Sequence, residues 1–207
     1  MIRMEIEAKF RVEHADFFET ILNTDVLGSF QLTCSEDIEE QYNRYFDTAD
    51  GRLRAQAYGL RIREIGDRRI VTLKGKGAVK DGLHQRDEWE VEIGREDAPE
   101  HWPPGEVRDR VLQLLDGTAL VTTLAINTSR QHIFASTTSG PVAEISLDVG
   151  TFIAGDVCEP FRECEVELLP EASREDFEQL VTELQCRFNL IPENRSKLAR
   201  GLALLER

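Results

Sequence analysis

The first alternation in the chain is IRMEIEAKF, with Ile6, Ala8 and Phe10 on one parity and Glu5, Glu7 and Lys9 on the other. In an extended chain, residues two apart share a face at intervals of ~6.6–6.8 Å, so the stretch reads as a strand with one apolar and one charged face. HADFFETILNTD follows with Phe17, Phe18, Ile21 and Leu22 at helical spacing, which predicts a short amphipathic helix over about residues 14–24. EEQYNRYFDT, GLRIREI, RRIVTLKG and HQRDEWEVEI then alternate in turn, separated by turn signals at TADG, IGD and the glycine-rich GKGAVKDG. That succession predicts an antiparallel meander. The proline-rich DAPEHWPPG, residues 97–105, ends it, and EVRDRVLQLLDGTAL has helical periodicity.

A second series of strands is predicted in LAINTSRQHIFAS, PVAEISLDVGTF and FRECEVELL. SREDFEQLVTELQCRFNL reads as a strong amphipathic helix with Ser173 as N-cap and Asp176 at the capping-box position, and NRSKLARGLALLE as a last short helix. Neither a fixed-period repeat nor a long linker interrupts the chain, so residues 1–207 are expected to form a single domain. Roughly eight strands with helices at the periphery predict an α+β fold, a closed antiparallel eight-stranded β-barrel.

With 207 residues, 41% hydrophobic and 31% charged, the chain is long enough to bury a sizeable core and shows no bias toward disorder. A net charge of −14 opposes capture of nucleic acid or an anionic membrane, leaving a local basic pocket as the place for an anionic ligand. Arg3, Glu5, Glu7 and Lys9 interrupt any signal-peptide-like run, and no stretch has the length of a membrane span, so a cytoplasmic protein is expected. The four cysteines, Cys34, Cys158, Cys164 and Cys186, lack C-x-x-C spacing, which favours reduced structural thiols over a zinc site.

The charged parity recurs in later strands. Arg61 and Arg63 share a face, as do Lys74 and Lys76; Arg86, Glu88, Glu90 and Glu92 lie opposite Trp89, Val91 and Ile93. Glu144 and Asp148 lie opposite Ile145 and Leu147, and Glu163, Glu165 and Glu167 opposite Val166 and Leu168. In any one strand such a face simply looks out to water. Six strands sorted into acidic and basic faces point instead to an interior lined by charge, with the apolar faces packed outward under helices. Unpaired buried charge is too costly for that interior to be dry and empty. Carboxylates without His or Cys suit a hard divalent cation such as Mg²⁺ or Mn²⁺, and Arg and Lys clusters suit phosphate, so the pattern describes a site for a short polyphosphate with metal.

The E-x-E-x-K opening at Glu5, Glu7 and Lys9 resembles the signature of the CYTH superfamily, the triphosphate tunnel metalloenzymes. Specificity comes from the order that follows: YFDT, LRIR, TLK, LHQRDE, an isolated strand arginine at Arg130, EISLD, ECEVEL and SKLARGL. The resemblance spans essentially the whole chain and is nearest the bacterial inorganic triphosphatases, some of which carry a further helical domain that this chain is expected to lack. It implies that Glu5, Glu7, Glu165 and Glu167 hold Mg²⁺ or Mn²⁺, with Glu163 a third glutamate of equal parity. Lys9, Arg61, Arg63, Lys74, Arg86, Arg130 and Lys197 would line the triphosphate path. Lys9, Glu88, Glu144 and Asp148 would serve catalysis, the carboxylates by orienting cations or assisting the attacking water. Lys76 and the segment His84 to Arg86 border a stretch expected to be a mobile loop.

The resemblance implies hydrolysis of inorganic tripolyphosphate, a small-molecule substrate, with no nucleic-acid or membrane partner. Three alternatives share the pattern. A class IV-type adenylyl cyclase needs a nucleoside pocket, a thiamine triphosphatase needs an aromatic platform for which Trp89 and Trp102 are the candidates, and a non-catalytic polyphosphate or nucleotide sensor needs no carboxylate clusters.

Overall fold

The computed structural model describes residues 2–14 and 16–206; Met1, Arg207 and Ala15, which falls in the first predicted helix, lie outside them. The elements run β1 (Ile2–Arg11), α1 (Asp16–Leu22), β2 (Val26–Leu27), β3 (Phe30–Thr48), α2 (Arg52–Ala55), β4 (Gly59–Ile65), β5 (Arg68–Lys80) and β6 (Leu83–Glu92). After a short 3₁₀ turn at Pro99–His101 come α3 (Glu106–Leu115), β7 (Leu120–Thr137), β8 (Gly140–Ala154), β9 (Val157–Leu168), α4 (Arg174–Phe188), β10 (Ile191–Pro192) and α5 (Lys197–Leu202).

The long strands pair antiparallel in the order β1-β6-β5-β4-β3-β7-β8-β9, and β9 pairs back onto β1, so eight strands form a ring. β1 joins its ends, with Glu5 opposite Arg86 of β6 and Glu7 opposite Glu167 of β9. The two-residue strands β2 and β10 attach to β3 and β1 at its margins.

Alternation sets which side of the ring each residue serves. The apolar parity of β1, β8 and β9 packs outward, where Ala8, Phe10, Ile145, Leu147 and Val166 meet Phe17 and Ile21 of α1 and Phe177, Leu180 and Leu184 of α4. Opposite, Leu60, Ile62, Val71, Leu73 and Trp89 lie under Val107, Val111 and Leu115 of α3. Each large apolar side chain fully buried in these layers stabilises the fold by roughly 1.5–3 kcal/mol. Along the inner face the character changes. Tyr45, Ile126, Phe152 and Phe161 have the parity of the charged residues, and Leu198, Leu202 and Leu204 from the C-terminal segment pack against them, closing one end with apolar contacts.

Helix ends follow local chemistry. Ser173 accepts from the Asp176 amide at 3.2 Å and Ser196 from the Ala199 amide at 3.1 Å, each capping its helix. α3 stops at Leu115, where Asp116 turns left-handed and Gly117 follows at φ 75°, so Leu120 begins β7 instead of ending the helix as its periodicity predicts.

Two further expectations are corrected. GKGAVKDG is no loop: β5 runs to Lys80, and Asp81 and Gly82, both at positive φ, make a tight hairpin into β6. Gly75 and Lys76 bulge where the register shifts between Lys74 and Gly77, and Lys76 is thereby turned into solvent, off the face of Lys74. Gly77 is required there, because a Cβ would stand 2.4 Å from the Gln85 carbonyl oxygen. β3 starts nine residues before the alternating EEQYNRYFDT, because an irregular register between Cys34 and Ile38 hides its first half. Among the described residues no helix is long and apolar enough to cross a membrane.

Candidate active site

The inner charged faces enclose a cavity of about 480 Å³. Thirteen of the fourteen site residues expected from sequence line it, Asp148 being the exception. β1 supplies Glu5, Glu7 and Lys9, at 5%, 3% and 4% exposure, so three adjacent inward positions carry charge almost out of water. Such burial requires pairing, and the pairing is dense. Arg86 donates from Nε to Glu5 at 2.7 Å and from Nη2 to Glu7 at 2.6 Å, and Lys74 reaches Glu5 and Glu88, each at 2.6 Å. Lys9 donates to Glu7 at 2.9 Å and to Glu165.

Across the ring, Arg130 joins Asp148 through two 2.7 Å bonds and Glu165 at 2.6 Å, and Lys197 lies 2.9 Å from both Asp148 and Glu165. Asp148, fully buried, therefore stands behind the wall and holds two cations that form it. Glu163, also fully buried, accepts from Lys197 and from Arg200. Glu144 engages His132 Nδ1 at 2.6 Å, a partner that sequence reasoning passed over although His132 shares the parity of Arg130. β3 contributes Gln41, Asn43 and Tyr45 to the wall. Their inward parity was readable, yet neutral polar side chains do not stand out in a strand.

The cations divide by environment. Arg61 donates to Thr72 at 3.1 Å, and Thr72 in turn donates to Glu90 at 2.6 Å. Arg63 donates from Nε to Asn43 at 2.9 Å. Burial, with Arg61 and Arg130 close by, pulls the Arg63 guanidinium down to about 10, so this corner of the wall is short of negative charge. Burial alone would raise the carboxyl of Glu5, but Lys74, Arg86 and Lys9 overcome it and hold it well below the usual carboxylate range. Glu165 is held down against its burial in the same way by Lys197, Lys9 and Arg130. Burial and the neighbouring Glu5 push Glu88 up to about 7, against the pull of Lys74.

Glu5, Glu7, Glu165 and Glu167 come from the paired strands β1 and β9 and line one cavity, a set of hard oxygen donors that fits Mg²⁺ or Mn²⁺. Among the described residues one trio of carboxylates, Asp148, Glu163 and Glu165, brings ligand oxygens within 4.8 Å of one another. The arrangement as a whole can bind a polyanion along Arg61, Arg63, Lys74, Arg86, Arg130 and Lys197 and a divalent cation at the β1–β9 carboxylates.

Comparison with known proteins finds relatives for the chain as a whole. The CYTH domain family model matches residues 3–202. An inorganic triphosphatase of Haemophilus influenzae is 28% identical over 168 residues, which are 78% of this chain and 45% of that protein. The chain thus spans less than half the length of that curated relative. Among solved structures, a candidate adenylate cyclase from Bacillus halodurans superposes with a TM-score of 0.68 at 26% identity, covering 96% of this chain and 97% of that one. A Hippeastrum protein, a candidate adenylyl cyclase reported to have a dominant triphosphatase activity, superposes with a TM-score of 0.66 at 20% identity over 98% of this chain and 95% of its own. At that identity the second likeness speaks for the fold alone.

Proposed function

The chain belongs to the CYTH domain family, and on that premise we propose that it is a metal-dependent triphosphatase that hydrolyses inorganic tripolyphosphate to pyrophosphate and phosphate. The observation that carries the reading is the sorting of charge inside one cavity, with acidic pairs on β1 and β9 and a path of arginines and lysines around them. In this reading the ring is a closed barrel and its interior a tunnel for the triphosphate.

Arg61, Arg63 and Arg130 bind the phosphate oxygens, and their planar forks fix the chain's orientation. Lys74 and Arg86, tethered by Glu5, Glu7 and Glu88, serve in this reading to offset the negative charge that develops as the terminal P–O bond breaks. Glu5, Glu7, Glu165 and Glu167 would hold Mg²⁺ or Mn²⁺, which when bound would supply charge neutralisation and a lower pKa for water. Glu88 and Glu144 orient Lys74 and His132, and Asp148 orients Arg130 and Lys197. Because these groups are positioned before substrate arrives, little reorganisation is left for the transition state.

The test incubates the purified chain with tripolyphosphate, ATP and thiamine triphosphate, each with Mg²⁺, Mn²⁺ or a chelator, and separates the products. Metal-dependent phosphate and pyrophosphate from tripolyphosphate, formed far faster than products from the other two, is the expected result. Cyclic AMP from ATP moves the protein to cyclase chemistry, and binding without any product makes it a sensor.

A further inference from the structure

Glu163 shares parity with Glu165 and Glu167 on β9, and by pattern alone it is a third candidate metal ligand. Its surroundings say otherwise. It is fully buried, absent from the cavity wall, and both of its oxygens are taken: Oε1 by the Lys197 ammonium and Oε2 by the Arg200 guanidinium. Lys197 and Arg200 lie three apart on α5, so they share a face and grip one carboxylate together.

Arg200 is itself fixed. Its guanidinium lies 5.0 Å from the ring centre of Phe152 and 5.4 Å from that of Phe161, a cation–π seat at the apolar end of the ring. The Lys197 ammonium also meets Asp148 and Glu165, so it touches every member of the tight carboxylate trio. Glu163 lies off the cavity wall that Glu165 lines, and its two oxygens are matched by Lys197 and Arg200, so a divalent ion reaching it would have to displace both.

We propose that Glu163 and Arg200 are positioning residues that seat α5 against β9 and so present the Lys197 ammonium to the cavity, and that Glu163 ligates no metal. The inference rests on the triphosphatase reading. Lysine carries its charge on a flexible four-carbon stem, and an anchor on one side keeps that charge where the anionic substrate meets it.

The test uses Glu163→Gln, Lys197→Met and the double variant, read by kcat and KM for tripolyphosphate and by Mn²⁺ uptake in equilibrium dialysis with pyrophosphate present. Glu163→Gln is expected to raise KM about tenfold with kcat within about twofold and Mn²⁺ uptake unchanged. In the Lys197→Met background the same change is expected to leave KM where it is, since its effect runs through the lysine. Should Glu163→Gln fail to fold, Arg200→Lys is read in both backgrounds with the same expectation. An unchanged KM in the wild-type background, an equal KM rise in the Lys197→Met background, or a tenfold loss of Mn²⁺ uptake overturns the proposal. A wild-type chain that hydrolyses no tripolyphosphate, or takes up no Mn²⁺, overturns the triphosphatase reading and the inference with it.

Discussion

Arg130 on β7 and Asp148 on β8 are register partners on adjacent strands, joined by two 2.7 Å hydrogen bonds, Nε to Oδ1 and Nη2 to Oδ2. Asp148 has no exposed surface, so the pair holds a carboxylate that water cannot solvate. Removing the cation by Arg130→Met is expected to cost roughly 3–5 kcal/mol, the penalty of taking a partner from two buried carboxylates, Asp148 and Glu165, and leaving them only lysines. Arg130→Lys keeps the charge but loses the fork and is expected to cost about 1–3 kcal/mol. Urea unfolding of both variants checks the order; equal stabilities would show that the fork contributes nothing.

Glu5 and Glu167 lie on different strands of the proposed metal set. Changing either one to Gln is expected to lower turnover of tripolyphosphate by about 100-fold or more while the far-ultraviolet circular dichroism stays that of the wild type. Near-normal activity in both variants would remove the metal-binding assignment from the β1–β9 carboxylates.

Outside the ring, Asp97 ties the segment after β6 to two strands by accepting from Arg44 at 2.5 and 3.0 Å and from Arg69. Its partial burial would raise the carboxyl, but the hydrogen bonds from Arg44 and Arg69 hold it below its ordinary value of 3.8. A carboxyl depressed in the folded state stabilises above its unfolded pKa and loses that contribution as pH falls through the folded one. After discounting for solvent screening the contribution is about 1 kcal/mol, or roughly 2–4 °C in Tm for a chain of this size. Thermal melts of the wild type and Asp97→Asn should differ by that amount at pH 6 and converge as the pH falls below 3.8. A gap that persists in acid would show that charge is not what Asp97 contributes.

Leu180, fully buried on α4 against β8 and β9, tests the outer layer separately from the chemistry. Leu180→Ala is expected to lose roughly 2–5 kcal/mol with kcat unchanged at a temperature well below the melt. A fall in kcat without a fall in stability would mean that the outer layer tunes the cavity.

The inward and outward sides of the ring could be read from alternation, because one wrong parity would put Trp89 or Val166 in the cavity and Glu88 or Glu165 under a helix. What alternation could not report is depth. Asp148 and Glu163 share the parity of wall residues and yet sit behind them, since Lys197 arrives from α5 and covers both. Arg200 escaped notice because its partners Glu163, Phe152 and Phe161 lie on other elements, and nothing in SKLARGL distinguishes a buttress from a surface arginine. The glycine-rich segment misled for a local reason. Glycine commonly marks loops, but Gly77 serves a close crossing of two strands beside a bulge.

Because β1 closes the ring between β6 and β9, Glu7 meets Glu167 only when the two ends of the chain come together. During synthesis the first strand emerges long before its last neighbour, and the non-local pairing that completes the ring is of the slow kind. Until that seam forms, no fragment holds both acidic pairs, and under the proposed function a nascent or clipped chain lacking β9 is expected to be chemically silent. Under that proposal, closure of the seam would make activity itself a report that folding has finished.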